Sequence, residues 1–163
     1  MELMKPITRP LNVGVSFDLG RDFEDRLRSE FPNTQFTIAH TSEEQRQAAP
    51  ELDVIFGQLD REAYLRAPKL RWYHFIGIGF DDVLRRIPEF KHGDVIMTNA
   101  RETHVIPMSE YALGMMLALA HQLRESIEDQ ATKQWRTDNY KGHILELAGS
   151  TLGVLAFGDI GRA

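Results

Sequence analysis

Two glycine-spaced stretches have the residue types and spacing to do chemistry: Phe75-Ile-Gly-Ile-Gly-Phe-Asp81 and Ala156-Phe-Gly158-Asp-Ile-Gly161. The second closes an apolar run, Leu152 to Phe157, and fits the G-x-G-x-x-G frame with alanine in the first place. In that frame the middle glycine lets a pyrophosphate approach the backbone, and the third lets helix and strand pack closely. Alanine suits the tight-turn position if its backbone keeps negative φ. A glycine turn after any buried strand has the same residues, and the acidic partner expected about 20 positions on falls past Ala163. The first stretch ends another apolar run, Leu70 to Ile76. Glycines at 77 and 79 free the backbone to turn its N–H groups inward, making an anion-binding concavity without a cationic side chain. A bare strand-to-helix turn capped by Asp81 fits these residues too.

Other chemistries are excluded or disfavoured. The 163 residues contain no cysteine, so there are no disulfides, thiolate metal sites or Cys nucleophiles. The six histidines (His40, His74, His92, His104, His121, His143) show no metal spacing such as H-x-x-x-H, and no metal is expected. His74 reads as a strand residue with a structural partner, and His104 as a loop residue that packs or hydrogen-bonds. A net charge of −5 argues against a nucleic-acid partner. The N-terminus lacks the apolar core of a signal peptide, and the apolar run from Tyr111 is short of the roughly 20 residues of a membrane span. A soluble, cytoplasmic protein is expected. Asp18 after the first strand invites comparison with a phospho-receiver domain. That reading needs an aspartate ending the third strand and a lysine ending the fifth, where Phe56-Gly57 and Thr98-Asn99 stand.

The elements that must position the two glycine stretches follow from periodicity. Strands are predicted at Leu11 to Phe17, Thr34 to Ala39, Leu52 to Gly57, Leu70 to Ile76 and Asp94 to Thr98. Between them lie an amphipathic helix with Phe23, Leu27 and Phe31 on one face, a short helix opened by a capping box at Ser42, and another capped by Asp60. Parallel neighbours need crossovers, so this alternation predicts a parallel α/β sheet of flavodoxin-like form. A long helix from about Pro107 to Glu125 follows, apolar all round from Tyr111 to Ala120 and therefore expected to be buried on more than one side. The run Leu152 to Phe157 is then a final strand.

The order of these stretches resembles the D-isomer-specific 2-hydroxyacid dehydrogenase family. Pro68-Lys-Leu-Arg-Trp72 leads into FIGIGFDDVL, followed by TNARETHVIPMSEYALGMMLAL, Gln134-Trp135-Arg136 and ELAGSTLGVLAFGDIGRA. The resemblance implies a two-domain enzyme: a flavodoxin-like substrate domain at 1–100, then at 101–163 a crossover and dimerisation helix with the first helix and strand of an NAD(P)-binding Rossmann domain. The loop matching Ile76 and Gly77, with Ile78 beside them, would offer backbone N–H groups to a substrate carboxylate. The segment Asn99 to Met108 would line the cleft near the nicotinamide, and Gly158, Asp159, Ile160 and Gly161 would hold the cofactor pyrophosphate at a helix N-terminus.

The family's catalytic arginine, glutamate and histidine lie downstream of this turn, so no catalytic residue is assigned here. One strand and a glycine turn do not make a dinucleotide site, and the end at Ala163 is expected to be a cut in a longer dehydrogenase. The expectation is therefore the N-terminal part of an enzyme moving hydride between NAD(H) or NADP(H) and a small 2-oxo or D-2-hydroxy acid, inactive by itself. The alternative is a non-enzymatic truncated homologue that dimerises or binds small carboxylates. A homodimer is expected, with Met108, Tyr111, Met115 and Leu119 on one buried stripe.

Overall fold

The computed structural model describes residues 9–163, which divide into two units between Arg101 and Glu102. In the first unit strands and helices alternate: β1 (Leu11–Val15), α1 (Arg21–Glu30), β2 (Thr34–Ile38), α2 (Ser42–Ala48), β3 (Val54–Gly57), α3 (Arg61–Leu65), β4 (Trp72–Phe75), α4 (Asp81–Arg86) and β5 (Ile96–Asn99). All pairings are parallel and the strand order is β2-β1-β3-β4-β5, the flavodoxin-like order that the alternation predicts.

Period-two alternation decides the faces. Ile55 and Tyr73 are in register and both buried, packing with Leu59, Ala63, Val83 and Ile87 into the core under the helices. The Tyr73 hydroxyl donates to the Gly57 carbonyl at 3.2 Å, and its ring stacks on Phe90 at 5.4 Å. Burial pushes the Tyr73 phenol up to about 12. The opposite face bears Phe56, Trp72 and His74, with Trp72 and Ile96 exposed.

Directly before β3, at the amino ends of the strands, Asp53 is 1% exposed and takes a forked bond from Arg9, at 2.8 and 2.5 Å, plus the Asn12 N–H at 3.0 Å. Burial alone would raise its pKa. The guanidinium and the backbone donor outweigh that and hold the carboxyl below the usual range. Asp60 caps α3 as expected, accepting from the Ala63 N–H at 3.1 Å while Arg46 bonds it from α2 at 3.0 Å.

The local differences from expectation have physical reasons. The capping box belongs to Thr41 and Glu44, one residue before Ser42. The strand predicted from Leu52 starts at Val54, because the Leu52 N–H closes a 3-10 turn onto Ala49. Asp81 does not cap α4: it is the first helical residue, and no side chain caps that end.

The second unit holds α5 (Val105–Ala120), α6 (Leu123–Ala131) and α7 (Asp159–Arg162). The single helix expected to reach Glu125 is broken. Gln122 turns left-handed at φ 52, its side chain donates to the Leu119 carbonyl at 3.0 Å, and the Leu145 N–H takes the Ala120 carbonyl at 2.8 Å. With its last carbonyls bonded from outside the helix, α5 stops there. The stripe expected to be buried is open in this chain. Met108 and Met115 are exposed, and Tyr111 and Leu119 are 66% and 69% exposed; only Ala120 of α5 is buried.

The final strand does not form either. Residues 152–157 have no ladder partner, and Leu155 is 98% exposed. A strand exists through its neighbours' hydrogen bonds, and no described strand lies beside this one. Among the described residues, no helix is long and apolar enough to cross a membrane.

Candidate functional site

In an open parallel sheet the carboxyl ends of the strands are where ligands bind, most often where the strand order reverses. Here that reversal, between β1 and β3, is filled by the chain's own side chains. Gly57 sits at φ 122 with Ser16 Oγ and the Phe17 ring where its Cβ would lie, and the Gln58 N–H donates to Ser16 Oγ. Asp18 only closes a local turn, accepting the Gly20 N–H at 2.8 Å. The open backbone lies instead after β4.

That loop is tightly held at its root. Phe75 ends β4 in register with Asn99, which ends β5. The ring of Phe75 lies where a Cβ on Gly77 would stand, so any larger residue there must displace that ring. The backbone of Gly77 is not left-handed, which removes one of the two reasons a glycine is needed. Two carbonyls of the loop turn toward the end of β5: Gly77 O accepts the Ala100 N–H at 3.1 Å, and Ile78 O accepts Asn99 Nδ2.

In a trans peptide the next N–H points opposite to the carbonyl, so the Ile78 and Gly79 N–H groups both face away from β5. Among the described residues neither donates to any group. Two adjacent, unpaired donors on one side are the makings of an anion cradle. Ile78 itself is exposed, with its backbone rather than its side chain held by the fold. Asn99 is the residue whose role the motif reading missed. An amide side chain ending the strand next to a glycine loop was the available signal.

The cofactor residues expected from sequence lie in the second unit. Gly158 stands at the N-cap of α7 with nothing within 4 Å of a Cβ there, leaving its backbone open. A Cβ on Gly161 would lie 2.7 Å from Ala156 O and 3.2 Å from Val154 Cγ1, so this turn does need its last glycine for close packing. Asp159 bonds Arg162 at 2.9 Å, and Ile160 is exposed. Ala156 takes φ 70, the left-handed region, against the expectation that alanine there keeps negative φ. Met108 lies in the first turn of α5, its N–H donating to His104 O at 3.0 Å, and α5 packs against α7.

His74 has the structural partner expected of it: Nδ1 shares a hydrogen bond with Thr98 Oγ1 at 2.8 Å, and the ring stacks on Phe56. Trp72 Nε1 donates to the same Thr98 oxygen. His104 bonds its neighbour Thr103 at 2.8 Å. Among the described residues no group of three His, Cys, Asp or Glu is placed to hold a metal ion.

Known proteins resemble this chain in sequence and share its fold, a flavodoxin-like parallel sheet followed by a long apolar helix. Residues 113–163 match the family described as D-isomer specific 2-hydroxyacid dehydrogenase, NAD binding domain. D-3-phosphoglycerate dehydrogenase of Methanocaldococcus jannaschii is 26% identical over 141 residues, covering 84% of this chain and 26% of that protein. Glyoxylate reductase of Thermococcus gammatolerans is 26% identical over 111 residues, covering 65% of this chain and 33% of the relative.

Among solved structures, D-lactate dehydrogenase of Aquifex aeolicus, complexed with NAD and lactic acid, superposes with a TM-score of 0.72 at 19% identity. That superposition covers 93% of this chain and 46% of that one, and it speaks for the fold. The chain is thus similar, over residues 113–163, to the NAD-binding domain of the D-isomer-specific 2-hydroxyacid dehydrogenases, and it spans about a quarter to a third of the length of these curated relatives.

Proposed function

We propose that the complete protein transfers hydride between NAD(P)H and a small 2-oxo or D-2-hydroxy acid, and that this chain contributes acid recognition and the first cofactor turn. The observation that carries this reading is the family's NAD-binding-domain match, which runs through Gly158 to Gly161. The turn suits a dinucleotide: Gly161 allows the close packing, and Gly158 leaves backbone open to a pyrophosphate. Gly158, Asp159, Ile160 and Gly161 would hold that group, with Met108 near the nicotinamide.

When bound, the cofactor supplies or accepts the hydride. The substrate's carboxylate is taken by the loop at Ile76, Gly77 and Ile78. Its best-placed donors are the N–H groups of Ile78 and of the adjoining Gly79, which are unpaired and face the same way. Recognition by backbone dipoles fixes the acid end without a charged side chain, leaving the other end of the substrate to be selected elsewhere.

The 163-residue chain by itself is expected to be catalytically silent. Incubated with NADH or NADPH and glyoxylate, hydroxypyruvate or pyruvate, it should show no loss of absorbance at 340 nm. Turnover by a sample of verified 18.7 kDa mass overturns that expectation. Turnover by the complete protein supports the dehydrogenase reading. Carboxylate binding and self-association without turnover in the complete protein would favour the non-enzymatic module.

The open apolar sides of α5 support a homodimer. Covering Met108, Tyr111, Met115 and Leu119 would remove a continuous apolar stripe from water. Sedimentation at micromolar concentration should show a dimer, and Met115→Glu should dissociate it, since an unpaired carboxylate is costly to bury. A monomeric wild type refutes the interface.

A further inference from the structure

We infer that Asn99 is a positioning residue for carboxylate recognition, because it ties down the Ile78 carbonyl and thereby aims the Gly79 N–H. The inference rests on the reading of this loop as the acid-binding element. Its basis is the pairing of two bonds at one strand end. The Ala100 N–H fixes the peptide between Gly77 and Ile78, and Asn99 Nδ2 fixes the next peptide, between Ile78 and Gly79. Each bond alone orients one N–H; together they turn two successive donors to the same side.

Only the second bond depends on a side chain. The first is backbone to backbone and survives any substitution at 99. Among the described residues no other hydrogen bond clamps that peptide. Ile78 is exposed, a Cβ on Gly79 would meet only Asp81 Oδ2 at 3.9 Å, and α4 begins without a side-chain cap that would fix its first turn. Without Asn99 the peptide between Ile78 and Gly79 is free to rotate, and the Gly79 N–H no longer converges with its neighbour.

The chemistry also says which replacements fail. Asn99→Asp keeps shape but loses the donor, setting a carboxylate against a carbonyl and near the acid to be bound. Asn99→Ala simply removes the tie. Asn99→Gln keeps an amide N–H at a longer reach and should rescue in part.

The experiment uses the isotopically labelled 163-residue chain titrated with pyruvate at constant ionic strength, following backbone amide resonances. In the wild type the Ile78 and Gly79 signals should shift saturably. In Asn99→Ala and Asn99→Asp, with Tyr73 and Met97 signals unmoved as proof of an intact sheet, the Gly79 response should vanish and affinity should fall about tenfold, the scale of one charge-assisted hydrogen bond.

Wild-type signals that ignore pyruvate sink the acid-binding reading. Wild-type binding that persists unchanged in both variants sinks the role of Asn99 and leaves that reading standing. A measurement without substitution covers variants that do not fold: the Asn99 side-chain amide protons should exchange slowly and show proximity to Ile78, and fast, free-rotor exchange overturns the tie. In the complete enzyme the same change should raise KM for the 2-oxo acid while kcat and NADH affinity stay put, a split that mere loss of stability does not produce.

Discussion

The two glycine turns of this chain look alike on paper and differ in how they are held. The loop at residues 75–81 is rooted in a five-stranded sheet: its first glycine lies against Phe75, its carbonyls are bonded from Asn99 and Ala100, and Phe80 lies beside Phe75 at 6.3 Å. The turn at residues 156–161 follows a segment with no ladder partner, begins on an alanine at φ 70, and opens a helix of only four residues. A spacing motif specifies what the backbone is allowed to do. What it actually does is set by the neighbours that bond it. The first turn is therefore a formed feature of this chain, while the second is an outline.

The largest effect should come from breaking the better-held turn at its root. Gly77→Val puts branched carbon into the space of the Phe75 ring, and overpacking of this kind costs about 3 kcal/mol at its upper end. The variant should melt well below the wild type and lose pyruvate binding through unfolding, so it reports on the frame and not on the site. A melting temperature equal to that of the wild type would mean that Phe75 moves aside freely.

The next effect tests the frame further from the loop. Asp53→Ala leaves the Asn12 N–H without its acceptor and releases the Arg9 fork, at a cost of about 2 kcal/mol. Because its folded pKa is lowered, the stability from Asp53 is fully present above the unfolded value of about 3.9 and fades as pH falls through the folded value. The wild-type sheet should thus lose part of its stability on acidification below about pH 4, and the variant should lack that component. Denaturant melts at pH 7 and pH 3 measure both. Equal acid losses in the two proteins would assign the effect to other carboxylates.

How far the sequence reached follows the same division. Alternation of apolar runs with helical segments was enough for the parallel sheet and its order, since parallel neighbours need a helical crossover. Asp60 was legible as a cap because a cap is local: one side chain and the next turn's N–H. The unpaired final strand and the break at Gln122 were not legible, because each depends on which surface lies opposite. The Asn99 bond is long-range in sequence, joining the end of β5 to the loop after β4 across 21 positions, and no spacing rule reaches it. Thr41 displaced Ser42 as the cap for a smaller reason: both are hydroxyl residues, and only the backbone path decides between them.

A smaller change should sharpen the weaker turn. A left-handed alanine costs about 1 kcal/mol relative to glycine, so Ala156→Gly should stabilise the second unit by about that amount and complete the G-x-G-x-x-G frame. Hydrogen exchange at the Gly161 and Arg162 amides is the readout, and slower exchange in the variant is expected. Faster exchange would mean that the positive φ is not what limits this turn.

The smallest change in stability addresses the donors themselves. Gly79 is not left-handed, and a Cβ there would meet only Asp81 Oδ2 at 3.9 Å, an ordinary contact. Gly79→Ala should therefore fold as well as the wild type, within about 0.5 kcal/mol and on the stabilising side, because alanine narrows the unfolded ensemble. Its methyl group nevertheless stands beside the N–H that Asn99 aims. Pyruvate affinity should fall about threefold while the melting temperature holds or rises, the reverse of the Gly77→Val pattern, in which stability goes first. That opposition separates a glycine needed for packing from one needed for approach. If Gly79→Ala binds pyruvate as the wild type does, with the same resonances moving, then the carboxylate does not reach Gly79 and the donor pair must be sought earlier in the loop, at Ile76 and Gly77.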